Sequence, residues 1–188
     1  MKRINYLILS AAIGVLLPVA RATTVIPPTF DELVNQAEVI FQGNVINVKS
    51  EWVGEGAQRH IMSYVTFKVE EALKGDPGQS YTIRMLGGTV DGETMGVSDA
   101  PKFAVGDEDI LFVQNNGNQF IPLVGIMHGR FHVRTNEANQ QIVTDNEEQP
   151  LKNLARLGRT ASAAASDEPD LSAAAFKAAV RSKLQTQQ

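Results

Sequence analysis

The chain has no cysteine among its 188 residues. Disulfides therefore cannot hold it, and no lipid can be attached to a thiol after a leader. A small secreted eukaryotic domain usually relies on disulfides, so a cysteine-free exported chain must be stable through its core alone. Basic residues are also scarce. There are 17 Lys and Arg against 21 Asp and Glu, a net charge of −4, and the basic residues form no cluster. Such a chain is a poor partner for nucleic acid or for an anionic membrane. Tryptophan occurs once, as Trp52, and aromatic residues make up only 6% of the chain. No G-x-S-x-G elbow, spaced calcium loop, phosphate-binding glycine pattern, repeat or heptad run is present.

The one long apolar run is 6-YLILSAAIGVLLPV-19. Lys2 and Arg3 precede it and 20-ARA-22 follows it, the arrangement that a signal peptidase reads. It is short and broken by Gly14 and Pro18 for a span of about 20 apolar residues. An uncleaved anchor helix is the alternative to a cleaved leader. The expectation is cleavage after Ala22, which leaves a mature chain of 166 residues starting at Thr23. Loss of Lys2, Arg3 and Arg21 would leave 14 basic against 21 acidic residues, a balance of −7. A bacterial protein of the periplasm or the extracellular space follows, with no membrane span after cleavage.

The remaining chain divides by pattern. Pro27-Pro28 lead into a short helix over 29–38, where Thr29 and Glu32 have capping-box spacing. Residues 39–53 read as a long strand whose buried face changes near Gly43, and a glycine there marks a bend or bulge. In 64-YVTFKVEEALKG-75, Val65, Phe67 and Val69 alternate with polar residues. The alternation then stumbles at Glu71-Ala72-Leu73. Residues 80–86 alternate again. The stretch 87–96 is Gly-rich, a loop or irregular hairpin, and 104–109 is a turn. Residues 110–114 read as a buried strand, returned through an Asn115-Asn116-Gly117-Asn118 hairpin into 119–125. Further strands follow at 129–135 and 140–144. The expected divisions are a leader over 1–22, a β domain over 23–146, a linker over 147–170 and a terminal helix within 171–188. That helix carries the apolar stripe Ala173, Phe176, Val180 and Leu184, with docking on the chain's own β domain expected. The fold class is mainly β with flanking helices. Strands that bend and switch faces point to a small OB-like Greek-key β-barrel, with one helix before it and one after it.

The segments 37-AEVIFQGNVINV-48, 63-SYVTFKVEEALKG-75, 81-YTIRMLGG-88 and 103-FAVGDEDILFV-113 together resemble the netrin-type domain. Tissue inhibitors of metalloproteinases share that fold, and the resemblance covers about residues 30–115. It implies an OB-type barrel and, for the animal inhibitors, a zinc-chelating N-terminal cysteine. This chain has none. A terminal amine at Thr23 would be the only counterpart.

Few residues carry candidate chemistry. On a strand, His128 and His132 would lie about 13 Å apart at ~3.3 Å per residue, too far for one metal ion. Asp107-Glu108-Asp109 lacks calcium-loop spacing and reads as a solvated turn. Asp91 and Glu93 give no sign of the facing pair that a glycosidase needs. Trp52 either closes the open end of the barrel or contacts a ligand. No catalytic, cofactor or metal residue emerges, and Thr23, Trp52 and Phe176 are candidate partner contacts. The expected function is non-enzymatic binding of an unidentified protein or small ligand in the envelope or outside the cell. A modulator of an exported metalloprotease and a small metal-dependent enzyme stand as alternatives.

Overall fold

A computed structural model describes residues 26–98, 100–158 and 168–186. The expected leader and Thr23 lie outside these residues, as do residues 159–167 of the expected 147–170 linker.

The first helix, α1 (Phe30–Gln36), has the expected cap. The Thr29 hydroxyl accepts from the Glu32 N–H, and the Glu32 carboxylate accepts from the Thr29 N–H at 2.8 Å. At its other end, Lys74 Nζ donates to the Val34 carbonyl at 2.7 Å, a cation on the negative pole of the helix.

Two long strands follow, β1 (Val39–Val53) and β2 (His60–Lys74), and then β3 (Ser80–Leu86). A small hairpin comes next, β4 (Gly88–Val90) and β5 (Glu93–Met95). The chain continues with β6 (Glu108–Val113), β7 (Arg130–Thr135) and β8 (Gln141–Thr144), and ends in α2 (Ala173–Gln185). The six main strands form one antiparallel sheet in the order β3-β2-β1-β6-β7-β8. Within it, β6 returns over a long connection to lie beside β1, which gives β6-β1-β2-β3 a Greek-key order.

The fold is mainly β with two flanking helices, but the sheet is not closed into a barrel. β3 and β8 are its edges. The return through 119–125 is also not a strand. The chain first runs along β3 and then touches β6 by a single bridge, Val113 to Leu123. Along β3 the Asn116 side chain acts as a missing strand. Its Oδ1 accepts from the Arg84 N–H at 3.1 Å, and its Nδ2 donates to the Thr82 carbonyl at 2.8 Å. The Leu86 N–H reaches the Phe120 carbonyl at 2.8 Å. A loop thus covers the edge that a closing strand would have occupied. At the other edge, Val143 is bonded to Leu171 and Leu151.

The bend read from Gly43 and Glu71 is real. The β1–β2 ladder shifts register three times. Leu73 and Glu70 are the extra residues on β2, and Ile46 is the extra residue on β1. At Gly43 an added Cβ would lie 2.7 Å from the Lys68 carbonyl oxygen, so that position admits no side chain. The shifts turn β2 over. Val69 packs into the core on the concave face of the sheet, whereas Leu73 packs into the core under the helices.

The helix-side core centres on Phe176 of α2. Its ring meets Phe30, Phe112 and Phe131 at centroid distances of 6.0, 6.1 and 5.0 Å. Phe176 is 0% exposed, so it serves the fold and does not present itself to a partner. Charge fixes the same helix, because Lys177 and Arg181 both pair with Glu71 on the turned end of β2. Phe176→Ala should cost about 3–5 kcal/mol, read as a lower urea midpoint with the slope unchanged. An unchanged midpoint would show that α2 contributes nothing to the fold.

Candidate functional site

The concave face of the sheet has two halves of opposite chemistry. On β1, β2 and β3 it is apolar. Phe41 and Phe67 pack edge to face at 5.5 Å, with Tyr81 against Phe41 and Phe103 against Phe67. On β6, β7 and β8 the same face carries charge.

The charged half is built on Asp109, which is 0% exposed. A buried carboxylate must be paired. Cross-strand register places His132 directly opposite it and Arg130 two residues away on the same face. Arg130 Nε donates to Asp109 Oδ2 at 3.0 Å, and His132 Nδ1 lies 2.7 Å from Asp109 Oδ1. Arg130 Nη2 also reaches Asp107 Oδ2 at 2.8 Å. Beyond His132, Arg134 donates to both oxygens of Glu148, at 3.0 and 2.6 Å. His132 Nε2 lies 3.6 Å from the same carboxylate.

The 107–109 segment is therefore not a solvated turn. Asp107 is half-buried, and Asp109 is an inward residue of β6. His132 does lie on a strand, where it is buried and partnered. His128 lies in the turn before β7, and burial lowers its basicity despite Asp145 and Glu147 nearby. His60 is elsewhere, bonded to the Gln58 carbonyl. Among the described residues, no three His, Cys, Asp or Glu side chains converge as a metal site.

The apolar half opens into a cleft of about 430 Å³. Its floor is sheet, with Val48, Val65 and Met85. One wall is the β4–β5 hairpin with Met95, and the other is a strap formed by Val97 and Ala100–Phe103. Two serines stand at its base. Ser63 Oγ donates to the Gly87 carbonyl at 2.6 Å, and Ser50 Oγ lies 2.8 Å from Ser63 Oγ. With the Ser63 proton committed to Gly87, Ser50 must supply the proton between the two hydroxyls. The remaining lone pair of Ser50 is an acceptor at the cleft. Gly88 makes this approach possible, because a Cβ there would fall on both serine oxygens.

Comparisons of the chain with family models, with curated proteins and with solved structures each find no match. The site must be read from its own chemistry.

Sequence reasoning missed the cleft. Asp91 and Gly92 have φ of 51° and 83°, the left-handed pair of a tight hairpin. An Asp-Gly dipeptide was the signal for it, within a stretch that otherwise reads as loop. Trp52 does not close a barrel end. It is half-buried near the tip of the β1–β2 arm, with the Arg59 guanidinium 4.1 Å from its ring centroid, and it does not line the cleft.

Acid should loosen the charged half. Burial alone would raise the Asp107 pKa. The Ala104 N–H and Arg130 outweigh it and hold the carboxyl below its ordinary value of 3.8. The hydrogen bond from Arg134 holds Glu148 below its ordinary 4.5. Folded values below unfolded ones stabilise the protein above the ordinary carboxyl range, and this contribution is lost as pH falls through the folded values. Melting temperature should therefore drop steeply below about pH 4, and Asp107→Asn should flatten that drop while lowering the plateau near neutral pH. An acid limb identical in the two proteins would remove Asp107 from this account.

Proposed function

We propose that the protein is an exported, non-enzymatic binding module that takes a small, uncharged and largely apolar ligand in the cleft between the sheet and the β4–β5 hairpin. The observation that carries this reading is the lining. Aliphatic, methionine and phenylalanine side chains surround the Ser50 and Ser63 hydroxyls, whose donors are already used, and among the described lining residues the one charged side chain, Lys102, is exposed at the rim. An apolar enclosure of this size with a few fixed polar groups is the usual form of a small-molecule site. Among the described residues of the cleft interior, a buried charge on the ligand would find no partner. One hydrogen-bond donor would find Ser50.

Export is part of the proposal, on the strength of the basic, apolar and small-residue order of 1–22 and the absence of cysteine. It would place the protein in a bacterial periplasm or outside the cell. Among the described residues, no helix is long and apolar enough to cross a membrane. A netrin-type relationship also belongs to the proposal, supported by the quoted motifs and by the Greek-key order of β6-β1-β2-β3. Mass spectrometry of exported material should find Thr23 first, and material starting at Met1 would overturn the compartment assignment.

The uncharged dye Nile red is a suitable probe of the cleft. It should bind at one site per chain with a rise in fluorescence. Thr94→Trp, placed at an exposed position of the hairpin wall, should fill the mouth and weaken binding about tenfold, or ~1.4 kcal/mol. Stability should stay within about 0.5 kcal/mol of the parent. Dye affinity unaffected by Thr94→Trp would place the binding elsewhere.

A further inference from the structure

The two halves of the concave face meet at one side chain. The strap of Val97 and Ala100–Phe103 forms a cleft wall but belongs to no strand. Past it, the chain is secured to β1, where the Gly106 N–H reaches the Val45 carbonyl at 2.9 Å and the Val45 N–H reaches the Asp107 carbonyl at 2.8 Å. Between Pro101 and Phe103, the described hydrogen bond to the sheet comes from Arg130. Its Nη1 donates to the Lys102 carbonyl at 2.5 Å. The same guanidinium lies 4.0 Å from the Phe103 ring centroid, stacked on a ring that also packs against Phe67. Its other nitrogens are committed to Asp109 and Asp107, and Asp107 Oδ2 in turn accepts from the Ala104 N–H at 2.9 Å.

We propose that Arg130 is the positioning residue of the cleft, a clamp on β7 that holds the 101–104 wall at a fixed distance from the sheet and thereby sets the width of the binding space. The inference rests on the cleft reading above. Its chemistry is geometric. Guanidinium is a planar fork that can serve several acceptors at once while presenting a flat face to an aromatic ring. Asp109 anchors the fork from the sheet, and Asp107 anchors it from the strap side. The remaining arm and the face are left for Lys102 and Phe103. An ammonium on the same strand supplies the charge without the fork or the stacking face. Phe103 is thus held on one side by the clamp while it lines the space that a ligand would fill. The other charged groups near the clamp, His132, Arg134 and Glu148, bind one another on the far side of Asp109 and do not reach the strap.

The test uses the full chain with Asp107→Asn and Arg130→Lys. Asp107→Asn keeps the shape and an acceptor for Ala104 but removes the charge that aligns Arg130, and it carries the test if Arg130→Lys fails to fold. Amide exchange measured residue by residue is the deciding readout. The Ala104 and Gly106 amides, bonded to Asp107 and Val45, should exchange about tenfold faster or more in the variants, while those of Ile110–Val113 on β6 keep their parent rates. A general loss of stability would raise both sets together. Nile red affinity should weaken severalfold in parallel. Strap exchange at the parent rate in folded Asp107→Asn would overturn the clamp, whatever the dye does. Faster strap exchange in a protein whose parent form binds no dye would uphold the clamp and fail the cleft reading alone.

Discussion

Two fifteen-residue strands lie side by side in this molecule, and their ladder cannot run straight. Each extra residue forced into one strand turns the backbone and moves the next side chain to the other face. Much else depends on those turns. Because β2 rolls over past Val69, it contributes Phe67 to the concave core and Leu73 to the helix-side core. Because Glu71 then sits on the turned end, it can hold Lys177 and Arg181 of α2. A strand without the bulges would bury the residues that now bind the helix. The helix would lose its charged anchor, and the core around Phe176 would lose its cover.

The face of the sheet away from the helices is divided in its chemistry. On the β1–β3 side, facing rings and aliphatic chains exclude water. On the β6–β8 side, a carboxylate with no exposure demands partners and receives an arginine and a histidine across one strand. An apolar replacement of similar shape is often no less stable than a buried ion network. The network is better understood by what it positions. It ends at Lys102 and Phe103, in the wall of the apolar cleft. A charged network on one half of the sheet thereby shapes an uncharged site on the other.

Local signals were the legible ones. The α1 cap, the β1 span, the turn after β2 and the α2 stripe are all decided by residues within a few positions of each other. Gly43 and the broken alternation at Glu71 announced the bend. Closure into a barrel was not legible, because it depends on whether β3 meets another strand or a loop. Here Asn115-Asn116-Gly117 has hairpin composition, yet its side chain is spent on β3. The ionic half was hidden for a related reason. Asp109 and His132 are 23 residues apart in sequence and become neighbours only through the β6–β7 register. Composition alone makes 107–109 look like a surface turn. The cleft requires three separate segments to meet, and of its two walls only the hairpin, through Asp91-Gly92, had a short-range signature.

The seal on β3 has a consequence of its own. A paired strand is protected by a row of backbone bonds, but the middle of this edge is covered by one carboxamide that donates with its nitrogen and accepts with its oxygen, beside a single backbone bond from Leu86 to Phe120. Exchanging that nitrogen for oxygen, as hydrolysis of the amide to aspartate does, changes a donor into a second acceptor facing the Thr82 carbonyl. The two oxygens then repel. The seal would be weakened at Thr82 by a change of a single heavy atom, with every core residue still in place. Chemical ageing at one surface position could therefore expose a template for strand addition between molecules, so the protein's resistance to self-association has a different weak point from its resistance to unfolding.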